Sequence, residues 1–452
     1  MIARPLRSGE AEAEVALLRP AADRSRDVAA TVAAILEAVR LDGDAALVAA
    51  TARLDWPGAS IENLRVPAAD LEAAFTSVDA DLRAAFAVAR GHVAWFHRHE
   101  VRAGWEETGP MGQRLGVRYL PVRRAGLYVP GGLGSYASTV IMNAVPAQVA
   151  GVEELFICTP PGRDGRVNES VLAAAWFMGI SEVYAVGGAQ AVAAMAYGTA
   201  TVRRADVICG PGNAYVMEAK RQVYGSVGID GLAGPSEVMV VADTSARPEW
   251  VAADLLAQEE HGSGATAVLV AASEVLCLAV ADAVEVLRGG AGEDLCVVDA
   301  DRADPGGVSR EPGAGGPESA ADSLHFFFPA PGEEFAHLAA AFVNEYAPEH
   351  LELHLVDARG FLAQVRSAGA VFVGGGTPTS FGDYVAGSNH VLPTGGAARF
   401  SSPLSVDTFM RASSVVEIDG PSAAALTVSL ARLARSEGFT FHRLSAELRS
   451  PR

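Results

Sequence analysis

A chain of 452 residues, 50% hydrophobic and 20% charged, has globular composition and enough length for two or three domains with proper cores. Disordered and fibrous classes are excluded. Acidic residues outnumber basic ones 54 to 35, a formal charge of −19, which argues against a nucleic-acid backbone or an anionic membrane as partner. A small-molecule enzyme is the expectation. The four cysteines, Cys158, Cys209, Cys277 and Cys296, form no CxxC pair, so reduced thiols and a cytoplasmic location are expected. The N-terminus has no apolar core of signal-peptide length. Ala265 to Val284 is the longest apolar-looking stretch, and Glu274 and Asp282 inside it speak against a membrane span.

Residues 1–110 are rich in alanine, leucine and charge, with apolar positions recurring at three and four, which predicts a helical N-terminal region. From Ala125 the texture changes to short β-branched runs ending in glycine or proline, separated by segments of helical length. GLYVPGG, ELFICTPP, VYAVGG, DVICGPG, EVMVVAD, AVLVAAS, LHFFF and AVFVGGG are the predicted strands. Such alternation predicts an α/β fold of two doubly wound, Rossmann-like parallel-sheet halves, over 111–235 and 236–386. The stretch from Arg288 to Asp322 is dominated by glycine, proline and acid and reads as a mobile surface loop. Residues 387–452 form a helical C-terminal tail, with SVVEI as its one strand, placed to contact a second subunit.

Open α/β sheets hold ligands at the carboxyl ends of their strands. Three glycine-rich strand ends follow Tyr128, lead into Gln190 and lead into Asn213. None is a GxGxxG, and taken singly each reads as a plain βα turn. In DLLAQEEHG, Gln258 and His261 are three apart on a predicted helix and so share a face, a spacing that suits two ligands of one metal. A GDY turn sets Asp383 near Asn389 and His390, and the terminal helix brings Glu437 and His442. Nitrogen and oxygen donors without sulfur favour Zn²⁺ in a catalytic role, with Mn²⁺ or Co²⁺ also fitting. In APEHL, Glu349 and His350 are adjacent in extended chain, point apart and can serve two different proton transfers. His92, His97 and His99 lie among charged residues and read as a solvated helical face. The chain has one lysine, Lys220, against 34 arginines; it is either a chance survivor or a site needing a compact ammonium.

The order and wording of these strings together resemble the histidinol dehydrogenase family. GLYVPGGLGSYASTVIMNAVPAQVAGV, VGGAQAVAAMAYGT, GPGNAYVMEAKRQV, IDGLAGPSEVMVVAD, DLLAQEEHG, NEYAPEHLEL, GDYVAGSNHVLPTGGAARFSSPLSV and the terminal EGFTFH carry the match. The resemblance implies an NAD-dependent, zinc-dependent enzyme that oxidises L-histidinol through the aldehyde to L-histidine in histidine biosynthesis. It also implies a homodimer with shared active sites. Carried over by position, it puts Gln258, His261, Asp383 and His442 at the zinc-ligand positions, with His442 from the partner subunit. Glu349 and His350 fall on the proton-transfer pair, and Tyr128, Gln190 and Asn213 on the NAD positions. Ser236, Gln258, His261, His350, Asp383, Glu437 and His442 fall on substrate contacts. Ala137, Thr379 and Phe441 depart from the usual pattern, replacing proline, glutamate and a small residue. A paralogue acting on another polar alcohol, such as a sulfopropanediol, is the nearest alternative, and would need an added cation such as Arg399 or Arg443 in the pocket. A binding-only dimer would have no use for Glu349 and His350 together.

Overall fold

The computed structural model describes residues 3–19, 26–131, 136–262, 264–290 and 323–449. The expected loop lies outside the described residues from 291 onward, as does Cys296. Arg288 belongs instead to the end of the helix Glu274–Gly290.

In chain order the strands are β1 (Ala3–Leu6), β2 (Trp105–Thr108), β3 (Arg114–Pro121), β4 (Arg124–Tyr128), β5 (Glu154–Thr159), β6 (Val183–Ala185) and β7 (Val207–Cys209). They continue with β8 (Gly228–Ile229), β9 (Glu237–Ala242), β10 (Thr266–Ala271), β11 (Leu324–Pro329), β12 (His350–His354), β13 (Ala370–Val373) and β14 (Met410–Glu417). Two sheets are wholly parallel, in the orders β6-β5-β4-β7-β8 and β1-β11-β10-β9-β12-β13. The α/β fold with two parallel sheets is as expected. Each helical crossover returns the chain to the same edge, and the nearly unbroken apolar runs of β5, β9 and β10 are what a sheet covered on both faces requires.

The N-terminal region is not purely helical. β1 lies at the edge of the second parallel sheet, pairing Ala3–Leu6 with Phe326–Pro329. Its Pro5 is tolerated because an edge strand needs only one row of hydrogen bonds. β2 and β3 form with β14 a small antiparallel sheet, joining the C-terminal tail to the chain before the first parallel sheet.

Strand periodicity divides the second core. Met239, Val241, Val268, Val270, Leu351 and Leu353 pack on one side with the helix Phe335–Tyr346. Val238, Val240, Ala267 and Leu269 pack on the other with Val251, Ala252 and Leu255 of the helix Pro248–Glu259. In register with Val238, Val240 and Ala242 stand His350, Glu352 and His354 of β12. A polar stripe therefore lies on the face that carries this helix. No described helix is long and apolar enough to cross a membrane.

Candidate active site

The crossover helix Pro248–Glu259 runs antiparallel to the strands it joins, so its last turn comes back to their amino ends. Gln258 sits in that turn, buried. β9 and β12 begin beside it, and the residues just before and at their starts are Ser236, Glu237, Glu349 and His350. The cluster thus occupies the amino edge of the second sheet. Strand-end reasoning pointed to carboxyl edges, which this cluster does not occupy.

Glu349 is anchored through one oxygen. Its Oε2 accepts from Ser236 Oγ and from Glu237 N, both at 2.8 Å, and lies 3.5 Å from His350 Nδ1. His350 Nδ1 donates to the Glu237 carbonyl at 3.0 Å. A ring that donates from Nδ1 to a carbonyl presents Nε2 as its acceptor when neutral. That Nε2 is buried without a hydrogen-bond partner and lies 3.5 Å from Asp383 Oδ1. Burial opposes charge on this ring, but Glu349 and Asp383 outweigh it, so His350 holds a proton well above the ordinary histidine range.

Asp383 stands on the short helix Thr379–Tyr384, where a turn was expected. Burial pushes its carboxyl up, but His350, His390 and His261 together hold it below the usual carboxylate range. His390 Nδ1 donates to the Asp383 carbonyl at 3.0 Å, and its Nε2 lies 3.3 Å from Thr139 Oγ1, linking the cluster to the helix Ala137–Ala150 after β4. His261 is near enough to act on Asp383, but it is not on the expected helix. The helix ends at Glu259, and His261 is exposed in the following turn, its N–H on the Gln258 carbonyl at 3.2 Å. Gly262, at φ +88°, closes that turn.

The donor set fits a metal. Ser236 Oγ lies 3.4 Å from the Gln258 amide and has one proton, which Glu349 takes at 2.8 Å. Gln258 Nε2 is otherwise buried without a partner. Donation from this nitrogen to Ser236 Oγ satisfies both groups and leaves the amide oxygen free to offer; with Asp383 and His261 it makes an oxygen, oxygen and imidazole set suited to zinc. Glu437 and His442 are not part of the cluster in one chain. Both are exposed at the C-terminal helices Gly420–Ser436 and Thr440–Glu447, with His442 against the Phe439 ring.

The three expected cofactor residues lie at carboxyl ends of the first sheet. Tyr128 ends β4, and its hydroxyl accepts from Gly188 N at 3.1 Å. Gln190 is buried, donates from Nε2 to Asp55 Oδ2 at 3.1 Å, and leaves Oε1 unpartnered. Asn213 caps the helix Ala214–Val223 by accepting from Tyr215 N and Val216 N, leaving its Nδ2 as the group it can offer. Gly188 and Gly210 hold φ of +60° and +119° at these ends, conformations that let backbone approach a ligand closely.

Sequence reasoning missed Asp254, Glu352 and His354, whose ligand-type atoms all lie within 4.8 Å of one another. The HLELH spacing was the available signal, since alternate residues of a strand share a face. His97 was misread: it is buried, paired with Glu100 at 2.7 Å and 3.3 Å from the Asn389 amide, not on a solvated face.

A family profile described as histidinol dehydrogenase matches residues 18–292 and 334–450. A histidinol dehydrogenase of Synechococcus sp. is 47% identical over 445 residues, covering 97% of this chain and 96% of its own length. One from Caulobacter vibrioides is 44% identical over 427 residues, covering 94% and 93%. The crystal structure of histidinol dehydrogenase from Elizabethkingia anophelis superposes with a TM-score of 0.86 at 31% identity, covering 99% of this chain and 97% of that one. The profile match, the relatives and the shared fold agree, and the chain belongs to the histidinol dehydrogenase family.

Proposed function

We propose that this chain oxidises L-histidinol through L-histidinal to L-histidine, using NAD⁺ twice, at a zinc centre completed by a second copy of the chain. The observation that carries the reading is the convergence of Ser236, Gln258, Glu349, His350 and Asp383 at one sheet edge. Gln258, His261 and Asp383 would hold the metal, with His442 of a partner subunit as fourth ligand; Tyr128, Gln190 and Asn213 would line the dinucleotide site. Exposure of His442 and Glu437 at the terminal helices supports their serving a neighbouring copy. When bound there, zinc would supply Lewis-acid polarisation of the substrate hydroxyl and NAD⁺ would supply the hydride acceptor.

The protein's own part is proton traffic. With the Asp383 carboxylate engaged by the metal, one of the two charges that hold the ring protonated would be neutralised, and His350 in its neutral form would take the hydroxyl proton at Nε2, the nitrogen left free by the Nδ1 bond to Glu237. For the second oxidation the aldehyde must gain water. Glu349, held through Oε2, has Oε1 to deprotonate that water. Glu437 is the carboxylate assigned to the imidazole end of the substrate.

The sulfonated-alcohol reading needs a cation free for the anion, whereas among the described residues Arg399 is engaged by Glu345 and Arg443 by Glu447. Buried free thiols at Cys158, Cys209 and Cys277 agree with a cytoplasmic setting. The test is to count NADH formed per L-histidinol consumed by the zinc-loaded protein. Two per substrate, abolished by a chelator and restored by Zn²⁺, is the expected result; no turnover by folded, zinc-bound protein would overturn the reading.

A further inference from the structure

Three elements carry the proposed metal and proton-transfer residues: the helix Pro248–Glu259 with Gln258, β12 with His350, and the helix Thr379–Tyr384 with Asp383. One step further along each lies a second polar residue or group. Asp254 precedes Gln258 by one helical turn, and Glu352 and His354 follow His350 on the same face of β12. The backbone N–H of Thr379 lies one turn before Asp383.

These groups meet. His354 Nε2 is 3.3 Å from Glu352 Oε2 and 3.5 Å from Asp254 Oδ2. Glu352 Oε1 accepts from Thr379 N at 2.7 Å. Both strand residues are fully buried and Asp254 nearly so. Burial opposes charge on His354, but Asp254 and Glu352 outweigh it and raise the ring above the ordinary histidine range, while burial raises Glu352 as well, so the ring and the two acids are held together by shared protons. A polar connection thus runs from the ligand helix through His354 and Glu352 to the first turn of the Asp383 helix. Nothing in the proton transfers uses it.

We propose that Asp254, His354 and Glu352 are positioning residues for the metal centre, fixing the three elements in register so that Gln258, His350 and Asp383 converge. The inference rests on reading Gln258 and Asp383 as ligands. Its particular content is that Glu352 places Asp383 through Thr379 N, and His354 ties that placement to the helix of Gln258. Groups that orient metal ligands from behind typically change metal affinity by about 10–100-fold when removed.

The experiment uses the full chain loaded with Co²⁺, whose visible absorption reports ligand geometry, with affinity measured by chelator competition. Glu352→Ala is expected to weaken Co²⁺ binding by about 10–100-fold and to alter the absorption bands. Glu352→Gln keeps an acceptor for Thr379 N and should recover most of both. His354→Gln is the second variant should Glu352→Ala fail to fold, with the same loss expected. Wild-type affinity and bands in folded Glu352→Ala or His354→Gln, together with lost binding in Asp383→Ala, would overturn the inference alone. Wild-type binding in Asp383→Ala would overturn the ligand reading and this inference with it. Two metal equivalents per chain, one lost in His354→Gln, would also overturn it by making the trio a ligand set itself.

Discussion

Lys220 Nζ donates to the carbonyl oxygen of Gly210 at 3.0 Å. The same ammonium pairs with Asp230, whose other oxygen accepts Gly210 N at 2.7 Å. One lysine and one aspartate thereby grip both peptide groups of a glycine whose φ is +119° and whose Cβ, if present, would lie 2.0 Å from the Tyr128 carbonyl. The lone lysine of the chain is thus a buried clamp on the strand end between Tyr128 and Asn213.

Lys220→Met should therefore leave Asp230 buried and unpaired, at a cost of about 3–5 kcal/mol. Lys220→Arg should not rescue it, because a planar five-donor fork does not replace a point charge in a site with two acceptors. Denaturant midpoints of the three proteins check this. Equal stability of the arginine variant would return the lysine to chance.

The strands rich in valine and isoleucine were legible because both faces of a parallel sheet are buried and such runs have few other uses. β12 was not. Its HLELH has a charged or imidazole side chain at every second position, which reads as surface until the partners are known. Asp254 lies about a hundred positions away, and local pattern cannot supply such a partner. Pro5 hid β1 for a similar reason, since only an edge position makes it acceptable. The glutamate and histidine of APEHL, and Gln258 with Asp383, were readable as chemistry-bearing residues. Their placement at the amino edge of the sheet was not, because it depends on where the crossover helix ends. His97 looked solvated from its charged neighbours, whereas Glu100 and Asn389 satisfy it in the interior.

Glu349→Gln separates the two half-reactions. An amide oxygen in place of Oε2 can still accept from Ser236 Oγ and Glu237 N, so the fold should survive while the base is lost. Oxidation of supplied L-histidinal should fall by about 10²–10⁴-fold, the usual contribution of a general base, and the alcohol step by much less. Equal losses in separately measured half-reactions would remove water activation from Glu349.

His261 is exposed in its turn and contributes little to packing, so His261→Asn should leave thermal stability of the metal-free chain within about 0.5 kcal/mol of the parent. Zinc content and NADH formation should be lost together. Chelation of the parent protein should produce the same inactive state, reversed by added Zn²⁺. Full activity of the variant after exhaustive chelation would sink His261 as a ligand.

Asp55 gives the protein a pH signature that is independent of the metal centre. Its Oδ2 accepts Gly187 N at 2.9 Å and Gln190 Nε2 at 3.1 Å. Burial raises this carboxyl from 3.8 to about 6, with the two hydrogen bonds pulling part of the way back. The folded chain therefore binds the Asp55 proton more tightly than the unfolded chain. Stability from this group is fully present below about pH 4 and is lost as pH rises through about 6. At about 1.36 kcal/mol per pH unit the loss is ~3 kcal/mol. An asparagine oxygen can take the place of Oδ2 for both donors without ever charging. Asp55→Asn should thus be more stable than the parent at pH 8, by up to ~3 kcal/mol, and the two should converge toward pH 4. Urea denaturation at the two pH values measures the difference. Equal midpoints at pH 8 would show that the carboxylate is stabilised by its two donors as fully as water stabilises it in the unfolded chain.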